Sequence, residues 1–358
     1  MRILHLNNEK TWRGGERQTL LLASGLRQWG AISAIGCRPG APLQQQAQAE
    51  SVATLAIPAN NLSAALALAR LGKDFDLIHC HTGRGHSLAA FTARFHRSFI
   101  LVTRRVDFLP GTGWFNRYKF RRAAGVVCIS RFIADQLAQW GVPKERLAVI
   151  PSAVPLPDPK FLTTEHRDAV RARLGVSPYV QLIGNIAAMV GHKDHATLLR
   201  AAKALTDRRS DVRFVILGDG ELKDKLLAQR RELGLEGKVI MPGFVPQAEQ
   251  CLPAFDVFVM SSCMEGLGSI VLDAFAAGVP VAATAGGGLP ELVRQGETGL
   301  LAPVGDAPAL ADAIRCLLEN PALAKELSSK ARKRVEAEFS VARMVGQYQA
   351  VYEKVMGR

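Results

Sequence analysis

Ser261–Leu292, SSCMEGLGSIVLDAFAAGVPVAATAGGGLPEL, is the stretch whose reading decides the architecture. The four residues before it, Val257-Phe258-Val259-Met260, are apolar without alternation, which predicts a strand buried on both faces. Glu265 follows in a turn kept open by Gly266 and Gly268. Leu267, Ile270, Val271, Ala274 and Phe275 then recur at helical spacing, predicting an amphipathic helix with one buried face. Gly278 is placed to close that helix, and Val279-Pro280-Val281-Ala282 begins another strand. Glu265 therefore sits where a strand's carboxyl end meets a helix N-terminus, the place where open α/β sheets bind ligands. Unbonded amides at that terminus, approached through glycines, favour an anion, most often a phosphate. A second acid, Asp273, stands eight residues further on.

Outward from this unit the same alternation fills the chain. Strands are expected at Arg2–Asn7, Ala31–Cys37, Val52–Ile57, Asp76–His79, Phe99–Thr103 and Gly125–Ile129, with helices between them. That rhythm means βαβ units on a parallel sheet, hence a Rossmann-like domain. The proline-punctuated run Pro151–Pro159 fits neither helix nor central strand and reads as a linker. A second series follows, with strands at Val180–Gly184, Val212–Leu217, Val239–Met241, Asp256–Met260, Pro280–Ala283 and Leu300–Leu301, and closing helices at Ala307–Leu318 and Ala322–Phe339.

The 358 residues suffice for two domains, each with its own core. Hydrophobic content of 48% and charged content of 22% are those of an ordinary soluble protein. Six scattered cysteines without a C-x-x-C pair suggest a reducing cytosol, with neither a disulfide framework nor a zinc site. A strand beginning at Arg2 leaves no room for a signal peptide, and no apolar run is long enough to span a membrane. The expected location is cytoplasmic. Residues 1–150 hold 20 Lys and Arg against 8 Asp and Glu, so +12 of the net +13 lies in the first half. A basic half suggests an anionic partner for that half.

An acid, seven residues, a second acid, then A-x-A-A-G-V-P-V-A-A-T and a glycine triplet before Pro290-Glu291 resembles the donor site of retaining GT-B glycosyltransferases of family 4. The resemblance runs from the first strand to Tyr352. It implies two Rossmann-like domains facing across a cleft: residues 1–155 on the acceptor side, residues 156–340 binding the nucleotide-sugar, and a terminal helix over 341–358 returning to the first domain. It assigns Glu265 to the donor sugar and Asp273 to the ribose hydroxyls, although the family normally has Glu at the second position. Gly266, Leu267 and Gly268 fall in the same donor loop. The segment G-N-I-A-A-M-V-G-H-K-D resembles the family's G-R-L-x5–6-K, whose Arg and Lys hold the donor phosphates. Here Asn185 stands at the Arg position and Lys193 at the Lys. Gly14 and Gly15 resemble the glycine loop that meets the diphosphate from the other domain, and His81 matches the histidine near the transferred sugar. The implied activity is a retaining, metal-independent transfer of hexosyltransferase type, from a nucleotide-diphosphate sugar as co-substrate to a glycan or lipid-linked acceptor in lipopolysaccharide or cell-surface polysaccharide synthesis, with no cofactor.

Each residue also has a plainer reading. Lys193 could be a solvated loop lysine, and a lone Gly-Gly occurs in many turns. His79-Cys80-His81 invites a metal, but no third ligand stands at a sensible spacing, and one of the two rings could simply be core. Asp74-Phe75-Asp76 has the D-x-D form of metal-dependent transferases but precedes its strand instead of following it. On a helical wheel of Trp114–Arg122, Trp114, Phe115 and Tyr118 share an arc flanked by Arg117 and Arg121, with Phe120 opposite. That is either a helix packed on its own domain or an interfacial segment that holds the protein peripherally on an anionic membrane surface. A sugar-nucleotide epimerase of the same fold, a catalytically silent sugar-nucleotide sensor and a basic nucleic-acid-binding protein are the alternatives. The last lacks any recognition motif or stacking platform, so no nucleic acid is expected.

Overall fold

A computed structural model describes residues 1–357. Residues Met1–Ala153, joined by the segment from Val341 onward, make one compact unit, and Val154–Ser340 make the other. In the first unit the order is β1 (Arg2–Leu6), α1 (Gly14–Gln28), β2 (Ile32–Cys37), α2 (Pro42–Ala49), β3 (Ala53–Ala56), α3 (Asn61–Leu71), β4 (Leu77–Cys80), α4 (Gly83–His96), β5 (Phe99–Arg104), α5 (Trp114–Arg122), β6 (Gly125–Cys128), α6 (Arg131–Trp140) and β7 (Leu147–Val149). In the second it is α7 (Thr164–Arg173), β8 (Gln181–Ile186), α8 (His195–Thr206), β9 (Val212–Leu217), α9 (Lys223–Glu232), β10 (Val239–Gly243), β11 (Val257–Met260), α10 (Ser269–Ala276), β12 (Val281–Thr284), α11 (Leu289–Leu292), β13 (Leu300–Ala302), α12 (Ala307–Glu319) and α13 (Pro321–Glu338). The last helix, α14 (Val341–Met356), belongs to the first unit, where it packs on α1 and β5.

Both sheets are wholly parallel, ordered β3-β2-β1-β4-β5-β6-β7 and β10-β9-β8-β11-β12-β13. Chain direction across the sheet reverses once in each, between β1 and β4 and between β8 and β11. Parallel strands covered by helices on both faces carry continuous apolar runs, which is why their positions could be read from the sequence. Val257 through Met260 are almost fully buried. One core gathers around Ile183, Phe214 and Val259 in the second unit, another around Ile3, Leu22, Leu101, Tyr348 and Tyr352 in the first.

Two expectations need correction. The helix after Glu265 is not half-exposed: Val271, Leu272, Ala274, Phe275 and Ala276 are all buried, and Leu267 lies in the loop before it. An apolar helix buried on nearly every side belongs to a core. In α5 it is Phe120 that enters the core, edge-on to His86 and against Trp140, while Trp114 is 78% exposed. The residue that breaks the wheel pattern is thus the helix's anchor.

Candidate active site

In the second unit the site is built at the β8/β11 reversal, where two neighbouring strands send their chains to opposite sides and leave a crevice at their carboxyl ends. The loop after β8 carries Lys193 and the loop after β11 carries Glu265. Their side chains meet: Lys193 Nζ donates to Glu265 Oε1, and Ser262 Oγ donates to the same oxygen at 2.8 Å. Glu265 is only 6% exposed, so this is a charge pair largely withdrawn from water. The two loops are also tied through backbone. Ser261 Oγ donates to Lys193 O at 2.9 Å, and Cys263 N donates to His192 O at 2.9 Å.

The glycine triplet fixes the Glu265 loop from behind. Gly288 N donates to Glu265 O at 2.8 Å. A methyl group on Gly286, Gly287 or Gly288 would fall 2.4, 2.3 or 2.4 Å from a backbone oxygen of Ser262, Glu265 or Gly266. Gly287 also holds a φ of +58°. Only glycine allows two backbones to lie this close. Thr284 Oγ1, at the end of β12, donates to Ser262 O at 2.6 Å and completes the support. Gly268, with φ +83°, is the residue from which α10 starts.

The other residues of this unit expected at the donor do different things. Asn185 is buried in β8, and its Nδ2 donates to Val259 O of β11 at 2.8 Å, so it ties the two strands that reverse. Gly266 and Leu267 are buried in the loop, and Asp273 is buried on α10. Asp194 adopts a left-handed conformation and caps α8 through Thr197 N at 3.1 Å, which turns the chain directly after Lys193. Burial, then the Lys193 charge, holds His195 down to about 4, so that ring is neutral.

In the first unit Gly14 and Gly15 open α1, with Glu16 accepting from Arg13 N at 2.9 Å. His81 follows β4 directly, at the β1/β4 reversal. The expectation that the His-x-His pair lacks a third partner is corrected. His5 pairs directly with His79 across β1 and β4, and the rings of His5, His79 and His81 lie together. Spacing along the chain hid it because His5 stands 74 residues before His79. His5 Nδ1 is 3.1 Å from His81 Nε2. His79 is the core ring of the three: its nitrogens meet Tyr352 Oη at 2.8 Å and Thr103 Oγ1 at 2.7 Å. Burial is the main reason all three stay uncharged, taking His5 down to about 3 and the others well below the usual histidine range. Asp76 Oδ2 accepts from Arg2 N at 2.9 Å, which puts the D-x-D segment at the opposite, amino end of the strands.

The fold and the site together define a class. Residues 167–334 match the family "Glycosyl transferases group 1", and residues 13–153 match the "Glycosyl transferase 4-like domain". The chain thus carries two glycosyl transferase domain matches in series, and its fold is that of the GT-B glycosyltransferases. Among its relatives is the 2-deoxystreptamine glucosyltransferase of Streptomyces kanamyceticus, 32% identical over 249 residues, which are 68% of this chain and 63% of that one. Another is the lipopolysaccharide core biosynthesis glycosyltransferase LpsE of Rhizobium meliloti (strain 1021), 32% identical over 222 residues, 62% of each chain. The chain thus spans somewhat under two thirds of the length of both. The crystal structure of Anabaena HepE in complex with UDP-glucose shares the fold, with a TM-score of 0.89 over 99% of this chain and 100% of that one at 21% identity.

Proposed function

We propose that this chain transfers a sugar, with retention of configuration, from a nucleotide-diphosphate sugar to a glycan or lipid-linked acceptor of lipopolysaccharide or cell-surface polysaccharide synthesis. The observation that carries the reading is the Lys193–Glu265 pair at the β8/β11 reversal. As the bond from sugar to diphosphate breaks, negative charge grows on the departing phosphate, and fixed donors aimed there lower the barrier. Lys193 and the amides opening α10 are those donors. Glu265 orients the sugar hydroxyls, and Asp273 serves the ribose. Gly14, Gly15 and His81 are assigned to the same donor on the family pattern alone. The acceptor oxygen bonds to the anomeric carbon on the face the phosphate leaves, and its proton passes to the departing phosphate oxygen. The relatives' printed names, among them lipopolysaccharide core and amylovoran biosynthesis, favour a glycan acceptor.

Incubation with radiolabelled UDP-, GDP- and ADP-sugars, followed by product analysis, tests this reading. Label in a larger glycan or lipid fraction, with free nucleoside diphosphate released, is the expected result. Conversion of the donor to an isomeric sugar nucleotide without transfer identifies an epimerase instead. Donor chemistry of this kind needs no metal, so excess EDTA should leave the rate unchanged; loss of activity restored by magnesium or manganese would contradict it. Asp273→Glu restores the family's longer acid and should keep or tighten donor affinity, measured by calorimetry. A large loss with an intact fold shows a pocket shaped around the shorter side chain.

No helix among the described residues is long and apolar enough to cross a membrane. Peripheral attachment to an anionic leaflet is supported by the outward apolar side chains of three packed helices: the aromatics Trp114 on α5 and Phe91 and Phe95 on α4 (67% and 61% exposed), and the aliphatic Leu62 and Leu66 on α3. Exposed Arg94, Arg97, Arg117, Arg121 and Arg122 lie among them. Aromatic side chains at headgroup depth beside arginines on lipid phosphates are an interfacial arrangement. Replacing Arg117, Arg121 and Arg122 with Glu should abolish sedimentation with anionic vesicles and leave donor affinity unchanged. Equal sedimentation with neutral vesicles, or no change in the triple variant, removes the membrane from the account.

A further inference from the structure

Arg105 follows β5 directly, at the carboxyl end of the first unit's sheet. Its stem lies beside the glycine loop, where a methyl on Gly15 would sit 3.7 Å from its Cδ, and Tyr348 and Glu16 lie within electrostatic reach of its guanidinium. Yet Nε and Nη2 are shut off from solvent with no partner. These two nitrogens share one edge of the guanidinium and present parallel N–H donors, the spacing that takes one carboxylate or phosphate bidentately. The carboxylate within electrostatic reach, Glu16, is already used: Oε1 accepts from Asn7 Nδ2 at 3.3 Å and Oε2 from Arg13 N at 2.9 Å. Buried guanidinium donors left without an acceptor are costly, and an arriving anion relieves that cost.

Other side chains at the same end of the sheet have the same unmet need. His81 Nδ1, His5 Nε2 and both amide atoms of Asn8 are buried without partners. The three clustered imidazoles could share a metal ion by distance alone. Two facts turn the sign the other way. Both nitrogens of His79 already face hydroxyls, and the charge of Arg105 bears on His79 and His81. A second cation there would be repelled, whereas an anion would be attracted.

We propose that Arg105 is the centre of an oxyanion site in the first unit, which takes a carboxylate or phosphate group. Two sources supply that chemistry: an acid group on the acceptor, or the donor's own diphosphate. The acceptor reading rests on the function proposed above; the anion site itself does not.

The test follows the Arg105 Nε–H resonance in the [15N]arginine-labelled full chain during titration with inorganic phosphate, with and without saturating UDP. Its assignment comes from its loss in Arg105→Lys, which keeps the charge but not the two-pronged edge. A saturable shift in the presence of UDP supports a subsite for an acidic acceptor. A shift produced by UDP that phosphate cannot add to supports the same site with the donor as its source. Arg105→Lys should weaken phosphate binding on the order of tenfold, the scale of one lost charge-assisted contact. Wild-type thermal stabilisation by phosphate over chloride at matched ionic strength, under saturating UDP, needs no variant and reads the acceptor subsite by mass action. A resonance indifferent to both phosphate and UDP overturns the proposal, and so does Arg105→Lys binding phosphate like wild type. A phosphate response that survives while no sugar transfer can be found leaves this site standing and removes the transferase reading.

Discussion

Glu265→Gln should leave the fold intact and lower sugar transfer by about two orders of magnitude, the scale of losing one preorganised electrostatic contact. The substitution keeps the shape of the side chain and lets Ser262 Oγ go on donating to Oε1. The loop does not depend on the carboxylate, because Gly288 N holds the backbone oxygen of Glu265 and the glycine triplet is packed against the loop's main chain. What disappears is the negative charge that faces Lys193 and is proposed to orient the sugar. Circular dichroism and melting temperature check the fold; initial rates at saturating donor check the chemistry. Transfer unchanged within error would remove Glu265 from the site.

Lys193→Met should be at least as damaging, for a different reason. The charged donor proposed for the departing phosphate in the second unit is lost, and a fall of about 10²–10³-fold is expected. Stability should also drop by about 1–2 kcal/mol, because a carboxylate withdrawn from water keeps only Ser262 as a side-chain partner. The double variant Lys193→Met/Glu265→Gln separates these effects. With neither charge left buried, it should be more stable than Lys193→Met alone while remaining inactive. Stability losses that simply add would mean that the two side chains do not act as a pair.

The sequence reveals the second unit's site more fully than the first unit's. Glu265 is legible because its strand, glycines and helix are contiguous, so a local pattern carries the whole strand–turn–helix corner. Lys193 is 72 residues away, and only the family pattern brought it to the same place. The physical link, the β8/β11 reversal, is a matter of strand order, and alternating βα units do not state their order. The same limit hid His5 beside His79. Arg105 gave no signal at all, since an Arg-Arg pair after a strand usually means two solvated side chains. Ser262 and Thr284 were missed because hydroxyls that pin a loop look like any others. The α5 wheel left its anchor unnamed because a nine-residue helix can be held by one aromatic, here Phe120, and amphipathic averaging gives that residue too little weight. Asn185 stands where the family has a charge, and its contact to Val259 O is structural; that contact was not readable from the sequence.

The β8/β11 crevice is proposed to bind a nucleotide-diphosphate sugar through Lys193 and Glu265. Calorimetric titration of the wild-type chain, Lys193→Met and Glu265→Gln with UDP and UDP-glucose, and with the GDP and ADP counterparts, tests it most directly. One nucleotide series should bind the wild type saturably. Lys193→Met should lose affinity for the free diphosphate and the sugar nucleotide alike, whereas Glu265→Gln should lose the extra affinity that the sugar confers and keep that for the diphosphate. Folded variants that bind every member of the series as tightly as wild type would contradict the account.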